Sequence, residues 1–310
     1  MTSKRKWPPQ LGLAIALAAL MIALAIARPN FLTLGNLVNL VRQISINGML
    51  AVGVTYVLLT GGVDLSLGSV VALSGVAAAM FAHPGQHGAA VPVLMGVGAG
   101  ALCGAANGLM VTRGGMASFI VTLGMMTSAR GLALLLSGGR PVSNLSPAFT
   151  AIGSGDFAGV PAPTWILFAV ALVSHVFLRN TRMGRHVYAA GGNENAARAS
   201  GVNVNRVKMA AYTICGAMAG LAGVVLAARI TTGQPNAGVG YELDAIAAVV
   251  IGGTSLNGGV GGIGGTVLGA LLIGVINNGL DLLNVSSYYQ QVVKGLIIVG
   301  AVWLDRSKKS

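Results

Sequence analysis

Side chains that could do chemistry are few in this sequence, and the most suggestive is Asp64. It is the single acid between Met1 and Phe149, and it lies where one apolar run gives way to the next. An ionisable group beside a membrane-length apolar run commonly marks the pathway of a polar solute or ion. The same carboxylate at a helix start would cap unpaired backbone amides. Both roles are open for Asp64, and the same choice applies to Asp244.

Enzyme motifs are matched only superficially. Residues 259–264 read GxGxxG, but both flanks are glycine-rich apolar runs without the βαβ unit that a dinucleotide site needs. His83 and His87 have the spacing of a metal pair, but the Pro-Gly pair between them breaks the helix that would position them. Cys103 and Cys215 stand alone in apolar runs, so we expect them to be buried small hydrophobic residues. These patterns predict no catalysis, no metal site and no bound cofactor.

The longest polar interval runs from Arg179 to Lys208 and holds six of the nineteen Lys and Arg residues. Within it, Asn193 is a suitable N-cap for a helix over 194–200, and Gly201 is a suitable stop. A helix of about two turns is not stable alone in water. Its small side chains, Ala196, Ala197 and Ala199, would suit a groove on a partner protein. The alternative is a solvated loop that fixes topology by its charge.

The composition is that of a polytopic membrane protein. Hydrophobic residues make up 54% of the 310 positions and charged residues only 8%, against about 25% charged in soluble domains. The sequence predicts an all-α bundle of about ten membrane spans that forms a single domain, 1–310. The Lys and Arg residues that give the net charge of +12 lie between apolar runs and not on a folded polar face. Their distribution therefore does not predict nucleic-acid binding. The predicted spans are 10–27, 44–60, 67–83, 89–111, 119–136, 161–178, 209–229, 244–257, 264–282 and 288–304.

The cations predict that both termini lie in the cytoplasm. With that orientation, thirteen of the nineteen Lys and Arg residues face the cytoplasm and three face outward. Residues 34–41 have apolar side chains at i, i+3, i+4 and i+7, which predicts a short interfacial helix ahead of the second span. Segment 137–160 would be the longest external one, and the pattern leaves open whether it is more than a connector.

Glycine patterns predict close packing and broken helices. Gly96, Gly100, Gly104 and Gly108 form a stripe along one helix face, which lets a second backbone approach closely, more simply within this chain than in a dimer. Polar, glycine-rich interruptions occur near 60–69 and 251–265. Non-helical backbone at membrane depth must be buried in protein or line water, so the interruptions indicate a pathway.

Polar residues within the apolar runs are the candidate pathway residues, because an unpaired amide in lipid is costly. Hydrogen bonds between packed helices would explain each of them equally well. The candidates are Asn47, Asp64, Asn107, Asn277 and Asn278.

Three stretches carry a resemblance to a known family. GRHVYAAGGNENAARASGVNV (184–204), TGGVDLSLGS (60–69) and residues 234–290 resemble the signature segments of the permease subunits of ribose-type sugar ABC importers. The likeness covers essentially the whole chain. Segment 137–160 looks shorter than is usual in the family, and GGVGGIGG at 258–265 is unusually rich in glycine.

The resemblance implies a multi-pass permease of the bacterial inner membrane that carries ribose or a similar monosaccharide inward without catalysing a reaction. It implies a cytoplasmic ATP-binding cassette subunit that uses the ATP, a periplasmic sugar-binding protein and a second permease copy. The alternative is an ion-coupled secondary transporter or channel. The resemblance places a coupling helix in the 179–208 loop, with contact residues Gly184, Arg185, Gly192, Asn193, Glu194, Asn195, Ala196, Ala197, Arg198, Ser200 and Gly201.

Overall fold

The computed structural model describes residues 9–307, and helices dominate this part of the chain. The helices are α1 Pro9–Ala27, a 3-10 helix Pro29–Leu32, α2 Leu34–Leu59, α3 Leu67–Met80, α4 Ala90–Thr112, α5 Ser118–Ser137, α6 Pro147–Ser154, α7 Ala162–Asn180, α8 Arg182–Gly192, α9 Glu194–Ala199, α10 Val204–Arg229, α11 Tyr241–Ile251, α12 Ile263–Leu282 and α13 Ser287–Ser307. A two-residue antiparallel pair, β1 Asp156–Phe157 with β2 Val160–Pro161, follows α6. The all-α prediction is confirmed, and segment 137–160 is more than a connector.

Every predicted span overlaps a helix, but the helices differ in length. Among the described residues, seven are long and apolar enough to cross a membrane, namely α1, α2, α4, α5, α7, α10 and α12. Helix α3 has 14 residues and α11 has 11, which gives about 21 and 16 Å of rise. Neither reaches across a hydrocarbon core of about 30 Å alone. The total of ten crossings therefore stays a prediction.

The orientation in the membrane also stays a prediction. It rests on the distribution of cations, and five of these lie outside the described residues. They are Lys4, Arg5, Lys6, Lys308 and Lys309.

Two predicted boundaries are wrong. The span predicted over 244–257 ends with α11 at Ile251. Residues 34–41 do not form a separate interfacial helix, because α2 runs unbroken from Leu34 to Leu59. Arg42 lies within this helix, and its Nη2 donates to Ser154 O at 2.8 Å and to Asp156 Oδ1 at 3.1 Å. With its charge paired in this way, Arg42 can continue the helix.

Helix α10 lies at the centre and packs against α2, α3 and α4. The glycine stripe of α4 faces it: a side chain at Gly100 would overlap the Gly216 carbonyl and lie 2.7 Å from the Gly220 Cα. The expectation that the stripe serves packing within the chain is confirmed. Cys103 and Cys215 are both buried near this contact, as predicted.

We expect Gly100→Ala to destabilise the protein by about 1–3 kcal/mol, because the added methyl group overpacks two helix backbones that cannot separate locally. Gly98→Ala is the matched control, since its methyl group would meet nothing within 4 Å. Thermal unfolding of the purified variants in detergent measures the difference. Equal melting temperatures would contradict the proposed closeness of α4 and α10.

Candidate functional site

The short helix predicted in the polar loop is present as α9. Asn193 Oδ1 accepts a hydrogen bond from the Ala196 backbone amide at 3.0 Å, which is the predicted N-cap. Gly201 follows the helix with φ of +83°, a left-handed conformation that glycine adopts without strain. Arg198 pairs with Glu194 at 2.8 Å. The chain therefore builds this helix by the local rules that its sequence predicts.

A second ion pair ties α9 to the central helix α10. Lys208 Nζ lies 2.6 Å from Glu194 Oε2. Hydrogen bonds from Lys208 and then Arg198 hold the pKa of Glu194 below its usual range. A lowered carboxylate pKa means that the stabilisation is complete above the usual pKa and is lost only as pH falls through the lowered one. At neutral pH α9 is fully tethered to α10.

Fewer alanines of α9 are exposed than the sequence predicts. Ala197 is buried against a cluster that includes Val204 and Val207, whereas Ala196 and Ala199 are exposed. The expectation that all three alanines face outward is therefore wrong for Ala197, because one side of the helix must pack on the bundle. Asn195, Ala196 and Ala199 remain as its small, exposed side chains.

Helix α8 precedes α9 and was not predicted, since Gly184, Gly191 and Gly192 disfavour a helix. Its start is capped by Thr181, whose hydroxyl accepts from the Gly184 amide at 3.0 Å. Val187 and Ala190 are buried, so tertiary packing overrides the poor propensity. Of the predicted contact residues on α8, Gly184 is buried, while Arg185 and Gly192 are exposed.

The end of α8 meets both predicted helix interruptions. The first, residues 60–66, separates α2 from α3, and the second, residues 252–262, separates α11 from α12. The Gly259 amide donates to Leu59 O at 3.0 Å. A side chain at Gly191 would overlap the Leu59 carbonyl and lie 2.6 Å from the Gly259 nitrogen. Three backbone segments therefore touch at Gly191, which we call the glycine junction.

Asp64 is buried within the first interruption. Its Oδ1 accepts from the Ser66 amide at 2.9 Å and from the Ser66 hydroxyl at 2.6 Å. Asn107 Nδ2 on α4 donates to the same hydroxyl oxygen at 3.1 Å. The N-cap position of α3 belongs to Ser66 and not to Asp64. The carboxylate instead fixes the turn that leads into the helix.

The five predicted pathway residues do not form one cluster. Asp64 and Asn107 share Ser66, whereas Asn278 exchanges two amide hydrogen bonds with Asn36 of α2, at 2.8 and 3.0 Å. Asn277 Nδ2 donates to Asp244 Oδ2 at 3.1 Å, and that oxygen also accepts from Lys294 Nζ at 2.9 Å. All five, including Asn47, are no more than 8% exposed. Their lining of a pathway stays a prediction.

A third interruption, residues 230–240, was missed because its Gly and Pro residues look like an ordinary connector. It runs alongside α3: Gly233 approaches the Val76 Cα and Gly238 approaches the Gly68 Cα. Eight helical residues separate those two contacts, so the loop descends by about 12 Å into the bundle. We call it the re-entrant loop.

Arg130 of α5 holds the re-entrant loop in place. Its Nη1 donates to Pro235 O at 2.6 Å and to Ala237 O at 2.8 Å. Glu242, at the start of α11, is half-buried and within electrostatic range of the same guanidinium. Asn236 and Val239 of the loop are exposed. The signal available in the sequence was Arg130 itself, a cation inside an apolar run that needs a polar partner.

Comparison with known proteins gives consistent matches. Residues 36–302 match the family described as branched-chain amino acid transport system / permease component. The ribose import permease protein of Escherichia coli K12 is 46% identical over 98% of this chain and 96% of its own. The ribose import permease protein of Bacillus subtilis 168 is 47% identical over 97% of this chain and 94% of its own. The L-arabinose transport system permease protein of Escherichia coli K12 is 41% identical over 97% of this chain and 91% of its own. No solved structure matches the chain with comparable significance.

The chain belongs to this family of permease components. It is therefore the membrane-spanning, non-catalytic subunit of an ABC importer, a multi-pass protein of the bacterial inner membrane. Permeases of this kind work with an ATP-hydrolysing subunit and a substrate-binding protein. Membership of this family excludes the alternative that the chain is an ion-coupled secondary transporter or a channel.

In this permease, we expect Asp64→Asn to keep wild-type abundance, because the amide oxygen can still accept both hydrogen bonds from Ser66. Asp64→Ala leaves those buried donors without an acceptor, which costs about 1–3 kcal/mol. The measurement is solute uptake normalised to membrane-inserted protein for both variants. Loss of uptake by Asp64→Asn at normal abundance would show that the charge itself serves transport.

Proposed function

We propose that this permease imports ribose or a similar monosaccharide from the periplasm to the cytoplasm. The support comes from relatives that match nearly the whole chain and are ribose and arabinose permeases by name. The family description names a different solute class, but the family model covers a shorter range of this chain than those relatives do. The relatives, which match more of the chain, therefore favour a sugar as the solute. The whole chain, 1–310, would act as one permease domain.

We propose that α9 is the helix through which ATP hydrolysis acts on the permease. It has six residues, too few to be stable alone, yet it is capped by Asn193 and tied to α10 through Glu194 and Lys208. A short helix with exposed alanines on one side suits a groove in an ATP-binding cassette subunit. That subunit would bind the nucleotide, and this chain would bind no cofactor. The predicted contact residues of 184–201 would surround this contact.

The glycine junction offers a direct route from α9 to the transport pathway. Helix α8 ends at Gly192 and α9 begins at Glu194, so a displacement of α9 moves Gly191. Since Gly191 touches Leu59 and Gly259 at backbone distance, that displacement reaches both helix interruptions without an intervening side chain. Rigid contacts of this kind suit alternating access by rocking of packed helices.

We propose that the re-entrant loop lines the sugar pathway, at the seam with a second copy of the permease. Non-helical backbone at membrane depth must be covered by protein or face water. Asn236 and Val239 are covered by neither α3 nor α5, and Arg130 and Glu242 bring polar groups to the same depth. A hydroxyl-rich solute needs such donors and acceptors along its path.

We expect Gly191→Ala to lower sugar uptake at least tenfold while leaving ATP hydrolysis by the assembled importer nearly unchanged, because the methyl group forces the glycine junction apart. Gly35→Ala, at the start of α2, is the matched control, since its methyl group would meet nothing within 4 Å and it lies outside the predicted contact set. Both activities are measured in proteoliposomes that contain the partner subunits. If Gly191→Ala transports normally, the junction does not transmit the motion.

The proposed function is tested in the same proteoliposomes with the binding protein and ATP supplied. We expect ATP-dependent uptake of ribose or another pentose and none of leucine. Asn236→Leu should lower uptake at least tenfold at normal abundance, because it places an apolar side chain in the pathway, whereas Asn30→Leu, at another exposed asparagine, should not. Uptake of leucine in place of a pentose would overturn the sugar assignment, and normal uptake by Asn236→Leu would remove the loop from the pathway.

A further inference from the structure

A cavity of about 640 Å³ opens beside the glycine junction, between α7, α8 and the start of α12. Its charged side is formed by Arg179 and Arg185, and His175 also lines the cavity. Among the residues that the structure describes, no Asp or Glu lines it. The remaining lining residues are Gln10, Leu178, Tyr188, Gly252, Gly253, Val260, Gly261, Gly262, Ile263 and Gly264.

The two exposed arginines of this cavity lack the partners that several other cations of the bundle have. Arg130 is held by two carbonyls, and Lys208 and Lys294 are paired with carboxylates. Among residues 9–307, neither the Arg179 side chain nor the Arg185 side chain makes a hydrogen bond or an ion pair. Two guanidinium groups that line one concavity without an acid favour an anion, and their planar donors match a phosphate.

The wall opposite the arginines is open backbone. Methyl groups added at Gly253 or Gly264 would meet nothing within 4 Å, so a ligand can approach the chain closely there. The amides of Ile263 and Gly264 lie in the first turn of α12, where they have no partner within the helix. They add donors to the charge that the arginines supply.

The cavity is lined by residues of α1, α7 and α12, and we call the lipid-facing surface along these helices the apolar groove. Helix α12 packs against both α1 and α7, and the span of α1 is only 6% buried. On α7, Phe168, Leu172 and Val176 are spaced four residues apart and are 59%, 51% and 45% exposed. They form an apolar track that runs toward the end of α7 where Arg179 lies.

We propose that this cavity and groove bind one anionic phospholipid, with its phosphate between Arg179 and Arg185 and an acyl chain along α7. The assignment follows from the combination of unpaired cations, open backbone donors and an adjoining lipid-facing track. A free phosphate would use the cationic end alone. An acidic segment of the ATP-hydrolysing subunit would use the arginines but leave the track on α7 empty.

The test uses the full permease, purified in detergent and incubated with equal amounts of dioleoylphosphatidylglycerol and dioleoylphosphatidylcholine. Native mass spectrometry measures the lipid retained. We expect retention of phosphatidylglycerol, weakened about 25-fold in Arg179→Gln/Arg185→Gln, since each cation near a headgroup contributes about fivefold. Arg182→Gln is the matched control, because Arg182 is exposed between the two but does not line the cavity. A double Arg→Lys variant should recover most of the binding.

Three results would overturn the proposal. One is equal retention of phosphatidylglycerol by the wild type and the Gln double variant, or no preference over phosphatidylcholine. Another is displacement of phosphatidylglycerol by millimolar inorganic phosphate, which would assign the cavity to free phosphate. The last is loss of the ATP-hydrolysing subunit from the double variant with lipid retention unchanged, which would assign the arginines to that protein contact.

Discussion

The backbone contact between α4 and α10 is the constraint on which the rest of the permease depends. Lipid offers no hydrophobic drive for helices to associate, so their packing has to come from close van der Waals contact. Glycines at 100, 216 and 220 remove the side chains that would separate the two axes. With α10 fixed in this way, α2 and α3 pack on its remaining faces. Its start then carries Lys208, to which α9 is tied.

Charged side chains inside the bundle are paired with polar groups of neighbouring elements. Asp244 and Lys294 neutralise each other between α11 and α13, and Asn277 of α12 donates to the same oxygen. Arg130 uses carbonyls that the re-entrant loop leaves without helical partners. Arg130 thus satisfies backbone groups that the loop would otherwise leave unpaired. Irregular backbone and buried charge occur together because each makes the other tolerable.

Apolar run length and local capping rules were enough to predict most of this fold. Ten runs coincide with ten helices, and Asn193, Glu194 and Gly201 behave as their positions predict, because these features depend on neighbours in sequence. The continuity of α2 and the existence of α8 depend on Asp156 and on the packing of Val187, which no local pattern reveals. The same holds for the pairing of Asn278 with Asn36. The re-entrant loop was not predicted, because Gly and Pro residues are typical both of surface turns and of loops that enter a helical bundle.

The short, buried helices α3 and α11 leave part of the interior to non-helical backbone. Twelve of the 14 residues of α3 are buried, while longer helices such as α1 and α7 face the lipid. Helices α3 and α11 thus span about 21 and 16 Å where the surrounding bilayer measures about 30 Å, whereas α10 beside them is long enough to cross it. Loops 60–66 and 252–262 continue the chain where these two short helices end. Water that reached these loops would shorten the distance over which the transmembrane voltage falls, so the local field would be steeper there than in the bare bilayer.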